Sequence, residues 1–534
     1  MTASFDLITQ PWIPVVYTDG RDGEVGLAEL FASAHDIRRI TGATPPMTAA
    51  LHRLVLAFLH RAYGPARAQD WGDLWKAKTF NVAKVGKYAT SSGASFDLFD
   101  PQRPFLQCPG LPEARKSTVA KLVPDLAVGN NVTLFDHTVA GDRVELTPGE
   151  AARWLVTAHA YDPGGMKTPA TKVKSSKRAP CNSFAVVLVE GSTLKETLLL
   201  NAARHDPKDP VDVPAWERQV PGAEPDKRRS DGWTDVLTWP ARRVRLFPET
   251  RDGTTVVAEA ILSPGTEFVD DDVLPQVERM AAYRTPLTPG GRPKPGAPML
   301  PVRLWLVRGA WRHSVELLLV DPWKEERSKQ RPVALKDLAT HTERGRIPDE
   351  TVYTLRMFGQ QLDKNASVVE AYFEEAVPAP VALIRASKGK GKDDGGENPV
   401  AGLVGCAIEL ADDAGAALRI MQREYHKEMR AIPGESVDLP YWPELPRPFG
   451  RFLRELNAAT AAGQSERRVM ERWQQTVGLT ARRVADDWAE GVAASGRSLR
   501  VLGKHQTALH KRLRALSGRF EAQIVKYLTK DDAE

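Results

Sequence analysis

The chain has 534 residues, 42% of them apolar and 26% charged, which is enough to bury more than one core and too apolar for a disordered protein. Its 73 lysines and arginines against 68 aspartates and glutamates leave a formal charge of +5, which excludes a bulk polycationic coat and confines any polyanion contact to local patches. Three widely spaced cysteines, Cys108, Cys181 and Cys406, offer neither a zinc pair nor a disulfide framework, so a reducing cytoplasm is expected.

The opening FDLITQPWIPVVYTDGRDGEVGL predicts short strands joined by a turn containing Asp-Gly. The start of the chain lacks the basic head and apolar core of a signal peptide, and no apolar run approaches the ~18 residues of a membrane span, so no membrane is expected as a partner. Leu27, Leu30, Phe31 and Ala34, then Leu51, Leu54, Val55 and Phe58, recur at helical spacing and predict two helices with buried faces. From 79 to 145 the pattern is irregular and reads as long loops, including the polar stretch GNNVTLFDHT at 129–138.

Between Tyr161 and Phe184 stands YDPGGMKTPATKVKSSKRAPCNSF, with adjacent Gly164 and Gly165 and the cations Lys167, Lys172, Lys174, Lys177 and Arg178. Two residues without Cβ atoms allow the main chain to approach a partner closely, and the cations suit phosphates, although a solvated turn needs no ligand at all. FAVVLVEG at 184–191 predicts a buried strand, RVRLF and TTVVAEAIL around ETRDG predict a hairpin, and LPVRLWLVRG at 300–309 another strand. The segment 285–298, rich in proline and glycine, predicts an exposed loop carrying Arg292 and Lys294.

SKGKGKDDGGENP at 387–399 reads as a flexible linker, because apolar residues all but vanish there. Beyond it, four apolar stripes at helical spacing, for example Val469, Trp473, Val477, Thr480 and Val484 after Ser465 as N-cap, can bury themselves only against one another. The predicted fold is therefore α+β: a large mixed N-terminal domain over 1–386 with short strands, helices and long loops, the linker at 387–399, and a C-terminal four-helix bundle over 400–534. The outer face of the last helix carries Lys504, Lys511, Arg512, Arg514, Arg519 and Lys526, a stripe fit for a nucleic-acid strand or for solvent.

No catalytic signature stands out: there is no Walker loop, no GxSxG elbow and no HExxH. The eleven histidines are scattered, and Asp270, Asp271 and Asp272 suit the N-terminus of the helix expected after them better than a metal. Neither catalysis nor a metal nor a cofactor is expected.

The blocks FDLITQPWIPVVYTDG, GLAELFASAHDIRRITGATPP and LHRLVLAFLHRAYG, followed in order by FDPQRPFLQ, NNVTLFDH, the glycine loop and a helical C-terminus, resemble the CasA family, the large subunit of the type I-E CRISPR Cascade complex. The resemblance implies a non-catalytic part of an RNA-guided antiviral complex that binds double-stranded target DNA, recognises the flanking motif (PAM) through the minor groove, helps open the duplex for R-loop formation and recruits a helicase-nuclease. Other Cascade subunits and the 5′ handle of the guide RNA are the further partners implied. A non-catalytic, general nucleic-acid-binding scaffold is the alternative.

By the same resemblance Gly164, Gly165, Met166 and Lys167 form the loop that meets the flanking motif, while Lys172, Lys174, Lys177 and Arg178 hold phosphates. GQQLDKNASVV at 359–369 matches a family hairpin that precedes an Ala-Ser pair and a helix, which places Asn365 as a wedge with Gln360, Gln361 and Lys364 beside it. From local sequence alone, Asn365 is equally a helix N-cap. Lys294 or Arg292 corresponds to a cation reaching the motif, and Asn131, Leu134 and Phe135 to the tip of a loop that meets the guide RNA or a neighbouring subunit.

Overall fold

The computed structural model describes residues 3–124, 126, 143–168, 171–269, 277–286, 288, 294–303, 309–313, 329–384, 399–432, 434–492 and 495–528. Strands β1 (Ile13–Tyr17), β2 (Asp22–Val25) and β3 (Ile37–Ile40) form a small antiparallel sheet in the order β2-β1-β3, with the expected turn between β1 and β2. The helices α1 (Leu27–Ala32) and α2 (Pro45–Tyr63) follow the predicted apolar spacing. In α2 the Thr44 hydroxyl accepts the Met47 N–H at 3.3 Å and Pro45 stands at the first helical position, where its missing N–H costs nothing. Within the stretch read as loops there is a helix, Ala83–Ser91, and Phe96, Leu98, Phe99 and Phe105 are buried in the core. Turn residues between those aromatics hide their common inward direction from any periodicity.

Helix α3 (Pro148–Tyr161) begins with a capping box between Thr147 and Glu150 and lies against α2. Strand β4 (Val186–Glu190) is wholly buried, as its unbroken apolar run requires, and the predicted hairpin spans β5 (Arg242–Arg251) and β6 (Thr254–Pro264). The longest hairpin among the described residues joins β7 (Val352–Leu362) to β8 (Val369–Pro380), in register from Val352 opposite Pro380 to Gln361 opposite Ala371, with a shift before Leu362 opposite Val369. Its other edge pairs β7 with β4, giving a sheet in the order β8-β7-β4. Of the strand expected at 300–309, Leu300–Pro301 is extended and paired with Tyr283–Arg284, and 304–308 lies outside the described residues.

Four C-terminal helices, α4 (Pro399–Met429), α5 (Pro446–Ala461), α6 (Arg467–Val492) and α7 (Gly496–Ile524), bury the predicted stripes against one another. Trp473 is enclosed at the centre, its indole N–H donating to the Ala407 carbonyl at 2.9 Å. The helices also pack on the rest of the chain. The Trp311 ring lies 4.8 Å from that of Phe449, and α5 contacts β8. The predicted α+β class with a helical C-terminal region is what is observed. Lys504 and Arg519 of the basic stripe on α7 pair with Glu428 and Asp413 of α4. The linker at 387–398 and Asp270–Asp272 lie outside the described residues.

Candidate nucleic-acid interface

Helix α3 ends at Tyr161, and Asp162 caps it, its N–H donating to the Ala158 carbonyl at 3.1 Å. A carboxylate at a helix C-terminus opposes the helix dipole, so it needs cations. Two supply them: the Asp162 carboxylate receives the Lys167 ammonium at 2.7 Å and the Arg242 Nε at 2.5 Å. Burial pushes the Asp162 carboxyl up, but the two cations overcome that and hold it below its ordinary value. The Lys167 ammonium, 11% exposed, is drawn down by the same burial.

Arg242 organises the loop that follows. Besides the bond to the Asp162 side chain, its guanidinium donates to the carbonyls of Ala241 at 2.8 Å, Asp162 at 3.1 Å, Pro163 at 2.9 Å and Lys177 at 2.9 Å. One buried side chain on β5 thus ties the entry of the loop to its exit. The planar fork of five N–H donors explains why arginine stands there and not lysine. The Arg242 backbone N–H in turn reaches Nδ1 of buried His159 at 3.4 Å, and His159 Nε2 donates to the Leu106 carbonyl at 2.9 Å. Desolvation lowers the His159 pKa to about 4, with the Leu106 bond opposing and the neighbouring arginines reinforcing it.

Within the loop, Gly165–Met166 pairs antiparallel with Ser175–Ser176, and the Lys167 N–H donates to the Lys174 carbonyl at 2.8 Å. Gly165 has φ of +96°, a conformation that side chains disfavour. Gly164 is buried, and its N–H donates to the Ala366 carbonyl at 2.8 Å. A Cβ on Gly164 would stand 3.1 Å from the Ala366 oxygen and 3.1 Å from the Arg178 nitrogen, so the two segments meet here because no side chain intervenes.

Ala366 belongs to the turn of the β7–β8 hairpin. Asp363 builds that turn: its Oδ1 accepts the N–H groups of Ser367 at 2.7 Å and Val368 at 2.8 Å, and its Oδ2 accepts that of Asn365 at 3.0 Å. Those backbone donors hold the Asp363 carboxyl below its ordinary value. At the neck of the hairpin the Gln360 amide donates to the Tyr161 carbonyl at 2.7 Å and to Asn182 Oδ1 at 2.6 Å. Asn182 donates to Tyr161 as well, at 2.9 Å, so both amides grip the end of α3. The glycine loop and the hairpin turn, far apart in sequence, form one surface.

On that surface Met166, Lys172, Lys174, Lys177, Lys364 and Asn365 are exposed, and Arg178 is half-buried. Asn365 is no N-cap: the Ala-Ser pair leads into strand β8, because Asp363 closes a tight turn that returns the chain along β7. Gln361 points outward to Glu370 at 2.9 Å while Gln360 points inward, as alternation along a strand demands. Lys167, expected to meet DNA, turns inward onto Asp162. Lys294 is exposed in the loop between Tyr283–Arg284 and Leu300–Pro301, its N–H donating to the Pro286 carbonyl at 2.8 Å. Arg292 and the expected guide-RNA loop at Asn131, Leu134 and Phe135 lie outside the described residues.

Sequence reasoning did not single out Asp162, Arg242, Asn182 or Asp363. An arginine immediately before the RVRLF strand and an aspartate before Pro-Gly-Gly were the available signals. Arg242 also borders a cavity of about 360 Å³, whose other arginines are engaged: Arg243 with Asp226 at 2.7 Å, Arg218 with Asp231 at 2.8 Å, Arg228 with Asp235 at 2.6 Å and Arg103 with the Arg218 carbonyl at 3.4 Å. Among the described residues no group of three or more His, Cys, Asp or Glu is placed to hold a metal ion.

The family model of CRISPR-associated protein Cse1 matches residues 6–484, most of the chain. This chain belongs to the Cse1 (CasA) family. It is 34% identical over 441 residues to the CRISPR-associated protein CasA/Cse1 of Thermus thermophilus, an alignment covering 81% of this chain and 79% of that protein. The crystal structure of Thermobifida fusca Cse1 superposes with a TM-score of 0.80 at 26% identity, over 96% of this chain and 98% of that one. A chain of a solved CRISPR RNA-guided surveillance complex shares the fold at 21% identity, with a TM-score of 0.71 over 95% of this chain and 99% of that one.

Proposed function

We propose that this Cse1-family protein is the large subunit of an RNA-guided antiviral surveillance complex of the Cascade type. It binds double-stranded target DNA, reads the flanking motif through the minor groove, helps open the duplex and recruits a helicase-nuclease, with no catalysis of its own. The observation that carries this reading is the joining of Gly164–Met166 to the turn Asp363–Val368 through the 2.8 Å bond from Gly164 to Ala366, with Lys172, Lys174, Lys177 and Lys364 exposed.

The chemistry follows from that juxtaposition. The minor groove is only ~6 Å wide and offers a degenerate pattern of acceptors, so main chain without Cβ atoms suits it and tolerance of several motifs is expected. Lysines 172, 174 and 177, with Arg178, take phosphates and set register, whereas Asn365 and Lys364 stand at the tip of the neighbouring hairpin. Lys167 acts through Asp162, as a positioning residue for the loop. Lys294 remains the candidate cation from the central loop. The guide-RNA 5′ handle and the other Cascade subunits are proposed partners by family, in a cytoplasmic setting. Among the described residues no helix is long and apolar enough to cross a membrane.

The test is assembly of the full chain with a guide RNA and the other subunits, then duplex binding across a set of flanking sequences. Gly165→Val should abolish discrimination among motifs, because the +96° φ at Gly165 disfavours a branched side chain. Lys172→Ala should weaken all duplexes alike. If both substitutions act equally on every duplex, the chain is a general nucleic-acid-binding scaffold instead.

A further inference from the structure

Arg53 on α2 and Glu278 form an ion pair at 2.9 Å, with side chains 2% and 0% exposed. Taking two charges out of water costs about as much as their attraction returns, so a buried pair is a poor device for stability. This one also leaves polar atoms over. Glu278 Oε1 accepts the Met280 N–H at 2.8 Å and Arg53 Nη2 donates to the Val236 carbonyl at 3.1 Å. Among the described residues, however, neither Arg53 Nε nor the Tyr161 hydroxyl, both buried, has a hydrogen-bond partner. Apolar side chains of like volume would fill the place at less cost. What the pair does is join three segments. Tyr161 ends α3 where the glycine loop begins, and burial raises its hydroxyl well above the ordinary value, Cys181 and Glu278 reinforcing and Arg53 opposing. Cys181 belongs to the turn Pro180–Ser183 in which that loop ends, and it lines one small cavity with Arg53. The next residue, Asn182, grips the Tyr161 carbonyl together with Gln360 of the hairpin neck. The third segment runs from Glu278 to Arg284. Its Met280 carbonyl accepts the Val187 N–H of β4 at 2.8 Å, and its Tyr283–Arg284 pairs with Leu300–Pro301 to close the loop that bears the exposed Lys294.

We propose that Arg53 and Glu278 are a positioning pair, which fixes the root of the Lys294 loop against the roots of the glycine loop and the β7–β8 hairpin, so that Lys294 meets the flanking motif in one register with Gly164–Met166. An apolar contact can slide along α2, whereas two charges in a low-dielectric interior accept one partner at one distance. The proposal rests on the reading of the flanking motif above. It adds the buried contact that keeps elements far apart in sequence in step, although neither Arg53 nor Glu278 touches DNA.

The experiment uses the assembled complex and measures the ratio of affinities for duplexes with favoured and disfavoured flanking motifs, with thermal melts in parallel. Glu278→Gln keeps an acceptor for the Met280 N–H and, combined with Arg53→Met, removes both charges together, so the double variant should melt near the parent. Its motif ratio should nonetheless fall. Lys294→Ala should lower the ratio at least about fivefold in the parent and less than about twofold in the double variant, since the cation is already out of register there. A second variant, with two glycines inserted after Arg284, leaves the buried pair untouched and should reproduce both effects. Positioning is overturned if the double variant, or the insertion variant should the double variant not fold, keeps the parental ratio and the parental response to Lys294→Ala. It is overturned equally if Lys294→Ala changes nothing in the parent; in both cases the reading of the flanking motif stands. A wild-type complex that prefers no motif overturns that reading and the pair's role with it.

Discussion

Gly164 and Ala366 share a backbone hydrogen bond of 2.8 Å that closes the glycine loop onto the turn of the β7–β8 hairpin. The contact is main chain to main chain, and the nearest atoms to a Cβ at Gly164 would be the Ala366 oxygen, the Arg178 nitrogen and the Ser176 oxygen, all backbone. None can swing aside as a flexible side chain would. Gly164→Ala should therefore cost about 1–3 kcal/mol, as overpacking does, and should also separate the two halves of the surface. Urea denaturation measures the first effect and motif discrimination the second; an alanine variant as stable and as selective as the parent sinks this account of the junction.

Lys167 and Lys172 are both lysines of one loop and should behave oppositely. Lys167→Met leaves Asp162 with Arg242 alone in a buried setting, which should cost about 1–3 kcal/mol of stability. Lys172 is exposed, so Lys172→Ala should stay within about 0.5 kcal/mol of the parent and lower the salt dependence of duplex binding by about one ion. Thermal melts together with a salt titration distinguish the two.

His159 makes the fold sensitive to acid. Its pKa is about 4 in the folded protein, against an ordinary value of 6.5. Between those values the unfolded chain holds the extra proton and the folded chain does not, so stability is complete above 6.5 and declines as pH falls toward 4. The full span is worth about 3 kcal/mol. His159→Gln should show a smaller drop in denaturation midpoint between pH 7 and pH 5 than the parent; equal drops would remove His159 from the explanation.

Gln360 should matter more than its neighbour Gln361. Gln360→Leu leaves the Asn182 amide oxygen without its 2.6 Å donor and loosens the hairpin from the end of α3, a cost of about 1–3 kcal/mol. Gln361→Ala, on the exposed side of the same strand, should change stability little. Amide hydrogen exchange at Ser367 and Val368 reads whether the turn loosens with the first change and not with the second.

The hairpin at 242–264 and the helical C-terminal region were legible because apolar runs around a turn and 3.6-residue spacing survive in the residues themselves, whereas strand β8 stands where a helix was expected after the Ala-Ser pair. Gly164, Gly165 and the hairpin at 359–369 were each visible as unusual, yet their contact was not, since it joins segments far apart in the chain. The inward turn of Lys167 was illegible for a related reason. A lysine in a basic loop reads as solvated unless Asp162 and Arg242 are known to be beside it, and Arg242 arrives from another strand. Gln360 and Gln361 show the limit most simply: alternation says that one of them points inward, and only the position of Tyr161 and Asn182 says which.

The ties that Arg242 makes to Asp162, Pro163 and Lys177 also bear on kinetics. With Gly164–Lys167 ordered by the protein's own bonds, a docking partner meets a shape that already exists, and the entropy of fixing that backbone is lost during folding and not at encounter. Association should then be governed by diffusion and charge steering, with an on-rate that falls steeply with ionic strength, while selectivity among partners resides in how long each remains.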